Sequence, residues 1–374
     1  MDIYDVRSMY PSVMSEYLHP TGLAYSVGDE ITEETCFLTV RGTSHGAFPG
    51  RGKDGELHYS HKRGVFHVSI HEYNAAIDSG VFRPTSIECT YDFAERVRYE
   101  AWTTKYYALK EKSERENDQA RYLIYKYLLN AGGGKFSQNP ANYWDYRLAA
   151  LKERPEEVCQ HCKGRGVCTR QCHRCAALNE YQALDGECRY CEGTGERWML
   201  AEASDDHEVM LWKARTPSYE YNNVATGASI TGAARAKLLR AMARCETVLY
   251  CDTDSIVCQG DFGEPVSNEM GAWKHEGHGV LMALAAKKLY CIFSDQPPVN
   301  DAESRRRDPW RYEPVRYRGR TLWPVKKAHK GAVLSPAQIL SIARGNVLTD
   351  IESPAPSFGL FRPPRWISQT FEMQ

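Results

Sequence analysis

The stretch that decides the fold is Thr247-Val248-Leu249-Tyr250-Cys251-Asp252-Thr253-Asp254-Ser255-Ile256-Val257-Cys258. Apolar residues run up to Asp252 and resume directly after Ser255, which predicts a strand, a tight turn and a returning strand. Two carboxylates then stand at the tip of a hairpin. In isolation such a tip is a solvated turn. Flanked by strands that belong inside a sheet, it can push both acids into a cleft. Hard divalent cations take oxygen ligands, and two-metal phosphoryl chemistry needs several carboxylates together. A third acid must therefore come from a neighbouring strand.

Asp5-Val6-Arg7-Ser8-Met9-Tyr10-Pro11-Ser12 supplies it. The apolar positions Ile3, Val6 and Met9 predict a strand, and Pro11 is expected to close it in a turn. Backbone N–H groups exposed in such a turn can cradle phosphates. A third segment, Lys126-Tyr127-Leu128-Leu129-Asn130, precedes three glycines at 132–134. Lys126 and Asn130 are four residues apart and share one face of a helix, where a lysine can hold phosphate as a point charge.

Around these segments the chain reads as mixed structure. Phe37–Arg41 and Val65–Ile70 are expected as strands separated by a Gly-rich loop from Gly42 to Gly55. His71–Asp78 is expected as a short helix. Asp92–Arg115 contains no Pro or Gly and repeats its apolar residues near helical spacing. A second helix from Asp118 should end at Asn130, where the glycines begin. Together they predict a helical hairpin. Thr226–Arg244 is Ala-rich and helical, and Leu281–Phe293 is expected to pass from helix to strand.

The 374 residues carry 42% hydrophobic and 25% charged side chains, the balance of a globular protein with two or three units. No apolar run approaches the length of a membrane span. The N-terminus has neither a basic segment nor an apolar core, so no signal peptide is expected and the location reads as cytoplasmic. Net charge is −1, yet ten Lys and Arg lie between Arg305 and Lys330, interleaved with Trp310, Tyr312, Tyr317 and Trp323. Such a stretch is either a solvated basic face or a nucleic-acid surface.

Seven of the 13 cysteines fall between Cys159 and Cys191. The pairs Cys159/Cys162, Cys172/Cys175 and Cys188/Cys191 have the knuckle spacing of a structural zinc site. One zinc on Cys159, Cys162, Cys188 and Cys191 is the expected arrangement. Cys168, Cys172 and Cys175 could hold a second, with His173 or His161 as fourth ligand. Free thiols or an iron–sulfur cluster are the alternatives.

In order and spacing the three acid and lysine segments resemble motifs A, B and C of the family B DNA polymerases. Asp5–Ser12 resembles DxxSLYPS, Lys126–Gly134 resembles KxxxNSxYG, and Tyr250–Ser255 matches YxDTDS. Lys288-Leu289-Tyr290 is similar to the family's KxY element. The surroundings of Asn130 and the run Gly271–Glu276 resemble the protein-primed branch of phages and linear plasmids.

The resemblance implies an α+β right hand. Its antiparallel-sheet palm would take residues 1–90 and 216–296, and helical-hairpin fingers 91–140. A Cys-rich zinc insertion would take 141–215, and a small thumb 297–374. It implies DNA-templated addition of dNTPs to a primer 3′-hydroxyl. Asp5, Asp254 and the Val6 carbonyl would hold two Mg²⁺ or Mn²⁺ ions, with Asp252 assisting. Arg7, Ser8, Lys126 and Asn130 would hold the triphosphate, and Tyr10 would lie beneath the sugar as a gate. Lys288, Tyr290 and Lys135 would hold primer and template.

Only four residues precede Asp5, so no exonuclease domain is expected on this chain. A priming terminal protein and a separate exonuclease subunit are the implied partners, with the host cytoplasm as the place of action for a phage-encoded enzyme. Gly133 stands where the family has a tyrosine, which implies a looser base-pair pocket and lower fidelity. A primase-like polymerase that starts chains unaided and an inactive palm serving as a DNA-binding scaffold are the rival readings.

Overall fold

The computed structural model describes all residues except 52–56, 139–143, 151–166, 169–185, 188–197, 205–207, 216–221, 300, 330–333, 355–365 and 374. The chain divides into two units, one of residues 1–137, 221–348 and 371–374, the other of 138–220 and 349–370.

The first unit is organised on a four-stranded antiparallel sheet with spatial order Thr247–Asp252, Ser255–Gln259, Asp2–Val6, Trp273–His278. The hairpin expected at Asp252–Ser255 is present, and its returning strand pairs with the first strand, Asp5 opposite Ser255. On its other side Asp5 lies opposite Lys274. The Val224–Arg244 helix is capped by the Asn223 side chain, which accepts from the Thr226 amide. Its Ile230, Ala233, Ala234 and Leu238 pack with Val6, Met9, Ile256 and Trp273 into a core. Small residues let this helix lie close to the Ile70–Asp78 helix. A Cβ at Gly232 would meet Ser69 Oγ at 2.1 Å. Ser69 and Glu72 form a capping box there, and Glu72 also accepts from Arg235 at 2.6 Å.

Several expectations are corrected. Pro11 does not end a turn. It lies in the first turn of a helix, Met9–Glu16, where its missing N–H has no intrahelical partner to lose. The glycine-rich stretch from Gly42 is mostly strand: Thr35–Arg51 and Leu57–Ser69 pair as one long antiparallel ribbon. Phe82–Asp92 packs so closely alongside that a Cβ on Gly42 would sit 2.4 Å from the Arg83 carbonyl oxygen. Asp92 therefore ends a strand, and the helix expected from it begins at Glu100.

The following helix, capped by Asp118, runs to Phe136 through all three glycines. Trp102 explains why packing overrides their weak propensity, since its ring fills the space a Cβ on Gly132 would take, 2.5 Å away. Leu281–Phe293 is not helix then strand but a hairpin, Leu281–Ala286 against Leu289–Ser294, reversed at Lys288 with φ 59°. The burial of Ala283, Ala285 and Ala286 decides the matter over alanine's helical preference. Arg320–His329 and Val315–Tyr317 extend this second sheet, and Pro336–Ile342 forms a helix behind a Ser335–Gln338 capping box.

The second unit contains an antiparallel sheet of Met199–Ala203, Val209–Arg215 and Trp144–Ala150, with Trp198, Met210 and Trp212 in its core. Leu348–Pro354 and Trp366–Phe371 make a separate strand pair. Val167–Cys168 pairs with Gly186–Glu187. The expected zinc ligands Cys159, Cys162, Cys172, Cys175, Cys188 and Cys191, with His161 and His173, lie outside the described residues. Among the described residues no helix is long and apolar enough to cross a membrane.

Candidate active site

A cleft of about 450 Å³ opens in the first unit where the first strand ends, and Asp5, Asp254, Tyr10, Lys110, Lys126 and Asn130 all line it. Three elements far apart in sequence are thus brought to one place. The tie between the first two is direct, because the Val6 amide donates to the Asp254 carbonyl at 2.8 Å. Asp254 reaches the cleft through the turn. Thr253 takes a left-handed φ of 48°, and the Asp254 amide folds back on the Asp252 carbonyl.

That turn also separates the two acids. Asp252 lines a different, largely apolar cavity with Thr253, Arg235 and Tyr59. Its carboxylate accepts from Thr253 Oγ1 at 3.1 Å and pairs with Lys288 at 3.5 Å. Of the three expected acids, Asp5 and Asp254 line the cleft and Asp252 the neighbouring cavity, near enough for its charge to raise Asp254. The further carboxylate of the cleft is Glu276. Among the described residues no three acid, His or Cys side chains converge closely enough to hold a metal as they stand. Lys326 gives a physical reason, since its ammonium lies 2.5 Å from Glu276 and 3.9 Å from Asp5.

Burial and the facing Asp254 carboxylate push the Asp5 carboxyl up to about 7. Burial raises Asp254 as well, opposed by Lys326. Glu276 is held below its ordinary value: burial works against its charge, but the hydrogen bond and charge of Lys326 outweigh it. Carboxylates held together against their own repulsion, with Lys326 and Lys274 as counter-ions, are an oxygen donor set suited to a hard divalent cation.

The remaining expected residues fall as follows. Ser8 adopts a left-handed conformation, φ 55°, before the Met9–Glu16 helix and accepts from Lys110 Nζ at 3.3 Å. Arg7 also lines the cleft, and its side chain donates to the Ser267 carbonyl and to Asn268 Oδ1 at 2.8 Å. Tyr10 lines both the cleft and the cavity behind the hairpin. Burial, then the charge of Asp254, raises its phenol, opposed by Arg235. Lys126 and Asn130 both face the cleft. Lys288 donates its amide to the Tyr250 hydroxyl at 3.1 Å. Tyr290 is 4% exposed and packs with Ile3, Val257 and Ile292, its ring 4.9 Å from that of Tyr250. Lys135 is exposed in the last turn of its helix. Gly133 is buried, and a Cβ there would meet Ile230 and Met14 rather than the cleft.

Sequence reasoning missed Lys110, Glu276 and Lys326. Lys110 was legible: the two hairpin helices turn about Asn117 and Asp118, and Lys110 is as far before Asp118 as Lys126 is after it. Glu276 and Lys326 required knowing which strands are neighbours.

An antiparallel sheet with acids at its strand ends, beside a helical hairpin that brings lysines to them, is the core of a right-hand polymerase. The comparisons agree. The model of DNA polymerase type B, organellar and viral, matches residues 1–165. A DNA-directed DNA polymerase of Enterobacteria phage PRD1 is 33% identical over 375 residues, covering 99% of this chain and 60% of that protein. Phi29 DNA polymerase, in its complex with primer-template DNA and incoming nucleotides, superposes with a TM-score of 0.58 at 16% identity, covering all of this chain and 57% of that one. Its complex with primer-template DNA alone gives 0.56. The chain is similar to the type B DNA polymerases, and both likenesses are to phage enzymes, in line with the resemblance to the protein-primed branch. It spans about three fifths of the length of these relatives.

Proposed function

We propose that the chain is a DNA-templated DNA polymerase that adds dNTPs to a 3′-hydroxyl in the Asp5–Asp254 cleft. The observation that carries this reading is the meeting of Asp5 and Asp254 with Lys110, Lys126 and Asn130 in one cleft walled by Tyr10. The PRD1 relative's name and the phi29 complexes with primer-template and nucleotides support DNA and dNTPs as its partners, and the host cytoplasm as its place of action follows from those phage relatives.

Asp5, Asp254 and the Val6 carbonyl would hold two Mg²⁺ ions. When bound, the ions activate the attacking hydroxyl and stabilise the charge on the leaving pyrophosphate. Lys110 and Lys126 neutralise the triphosphate from the helical hairpin, and Asn130 orients it by hydrogen bonding. Ser8, pinned by Lys110, presents the backbone of the following helix start. Tyr10 closes the floor where a ribose 2′-hydroxyl would go. Lys288, held beside Asp252, meets the primer terminus, and buried Tyr290 fixes Tyr250 and so the Lys288 turn. Arg7 braces the 267–268 loop.

In this reading residues 1–90 and 216–296 are the palm, 91–140 the fingers, 297–374 the thumb, and 141–215 an insertion holding zinc on its CxxC pairs. The zinc assignment rests on cysteine spacing alone. Primer extension on a defined template with Mg²⁺ and dNTPs tests the whole reading. Extension is expected from the chain and lost in Asp254→Ala. No extension by the wild-type chain, with DNA binding intact, would overturn it.

A further inference from the structure

A second pocket of about 400 Å³ adjoins the cleft, sharing Lys274 and Glu276 with it and lined further by Arg307, Trp310, Arg311, Lys326 and Lys327. Its charge is unbalanced. Five cations face three carboxylates: Glu276 is divided between Lys326 at 2.5 Å and Lys274 at 3.6 Å, Asp308 between Arg307 at 3.5 Å and Arg311 at 3.7 Å, and Asp5 lies 3.9 Å from Lys326. Among the described residues Lys327 donates to a carbonyl, that of Leu334, at 2.9 Å, and its burial lowers its affinity for its proton. Arg311 Nε is buried without a hydrogen-bond acceptor among the described residues. Both cations are held over the Trp310 ring, Lys327 at 5.2 Å and Arg311 at 5.4 Å from its centre. The ring orders the charges without neutralising them. A concave site with a surplus of two ordered cations and an unused donor is short of a multivalent anion.

We propose that this pocket is a second phosphate-binding site beside the cleft, taking either the pyrophosphate that leaves it or a backbone phosphate of a bound DNA strand. The binding claim stands on the pocket's own charges; only the pyrophosphate source rests on the reading of the cleft as a polymerase site. Lys274 and Glu276 belong to both walls, so an anion displaced from the cleft meets this pocket next.

The test is calorimetric titration of the full chain with inorganic pyrophosphate, without divalent cations, and with a short single-stranded oligonucleotide across a salt series. The variant is R307Q/R311Q/K327Q. Its control, R316Q/R318Q/R320Q, removes the same charge from neighbouring residues outside the pocket. Pyrophosphate affinity should fall about tenfold in the pocket variant and hardly in the control. If the natural anion is a DNA phosphate, the salt dependence of oligonucleotide binding should also drop by about two units relative to the control. If it is pyrophosphate, oligonucleotide binding should match the control. Both titrations are repeated with K126Q, because the cleft takes anions too. A loss that persists in K126Q belongs to the pocket, and one that vanishes there overturns the proposal. Equal effects from the two triple variants would also overturn it. Arg307 is 71% exposed at its side chain, so R307Q alone, expected to weaken pyrophosphate several-fold, serves if the triple variant does not fold.

Discussion

The ammonium of Lys326 stands 2.5 Å from Glu276 and 3.9 Å from Asp5, on a strand that belongs to the second sheet rather than to the one carrying the acids. It occupies the electrostatic place of a divalent cation. Its removal should leave the carboxylates without a competitor and tighten metal binding. For partly exposed groups the effect is about 1 kcal/mol, about fivefold in affinity. Titration of Lys326→Met with Mn²⁺ by calorimetry at fixed ionic strength should show this tightening. Unchanged or weaker binding would mean that Lys326 orders the acids rather than opposing the ion.

Lys110 should matter to nucleotide use nearly as much as Lys126. It reaches Ser8, lies 4.4 Å from the centre of the Tyr107 ring and is driven toward its neutral form first by burial. A phosphate would favour its charged form. Loss of one charge-assisted hydrogen bond, about 1.5–3 kcal/mol, predicts a ten- to hundredfold fall in kcat/KM for dNTPs in Lys110→Met. Steady-state single-nucleotide insertion measures it, and an unchanged kcat/KM would remove Lys110 from the phosphate site.

How much was legible follows from where each signal lies. The acid hairpin and the Lys126–Asn130 face were readable because each is local, fixed by residues within a few positions. The helix through Gly132–Gly134 and the hairpin at Leu281–Ser294 were not. There Trp102, or the neighbouring strand Arg320–His329, overrides local propensity from far along the chain. Asp252 shows the limit most sharply. Its neighbour Thr253 takes a left-handed conformation, and Asp252 and Asp254 line different cavities, which no residue pattern announces.

The three glycines make the same point as a measurement. Nothing lies within 4 Å of a Cβ built on Gly134, whereas at Gly132 it would meet Trp102 at 2.5 Å. Gly134→Ala should stabilise the helix by about 0.5–1 kcal/mol. Gly132→Ala must displace an indole packed between two helices and should cost about 1–3 kcal/mol. Urea denaturation of both variants checks the sign. Two changes in the same direction would show that Trp102 moves freely.

His71 predicts the acid side of the stability profile. Burial, reinforced by His19 and Arg240 and opposed by Glu72 and a hydrogen bond with Leu18, lowers it from 6.5 to about 4. Tyr17 covers its ring at 4.8 Å between centroids, and His19, itself lowered by burial, lies 6.0 Å away. A folded-state value below the unfolded one means that the unfolded chain binds the proton first. The contribution is therefore intact above pH 6.5 and is lost as pH falls toward 4, by about 3 kcal/mol in all. His71→Phe keeps a ring against Tyr17 but cannot titrate. Its unfolding free energy, from urea titrations at pH 7.5, 6 and 5, should fall less steeply than that of the wild-type chain. Parallel slopes would show that His71 binds its proton alike in the folded and unfolded chain, with burial and Glu72 cancelling.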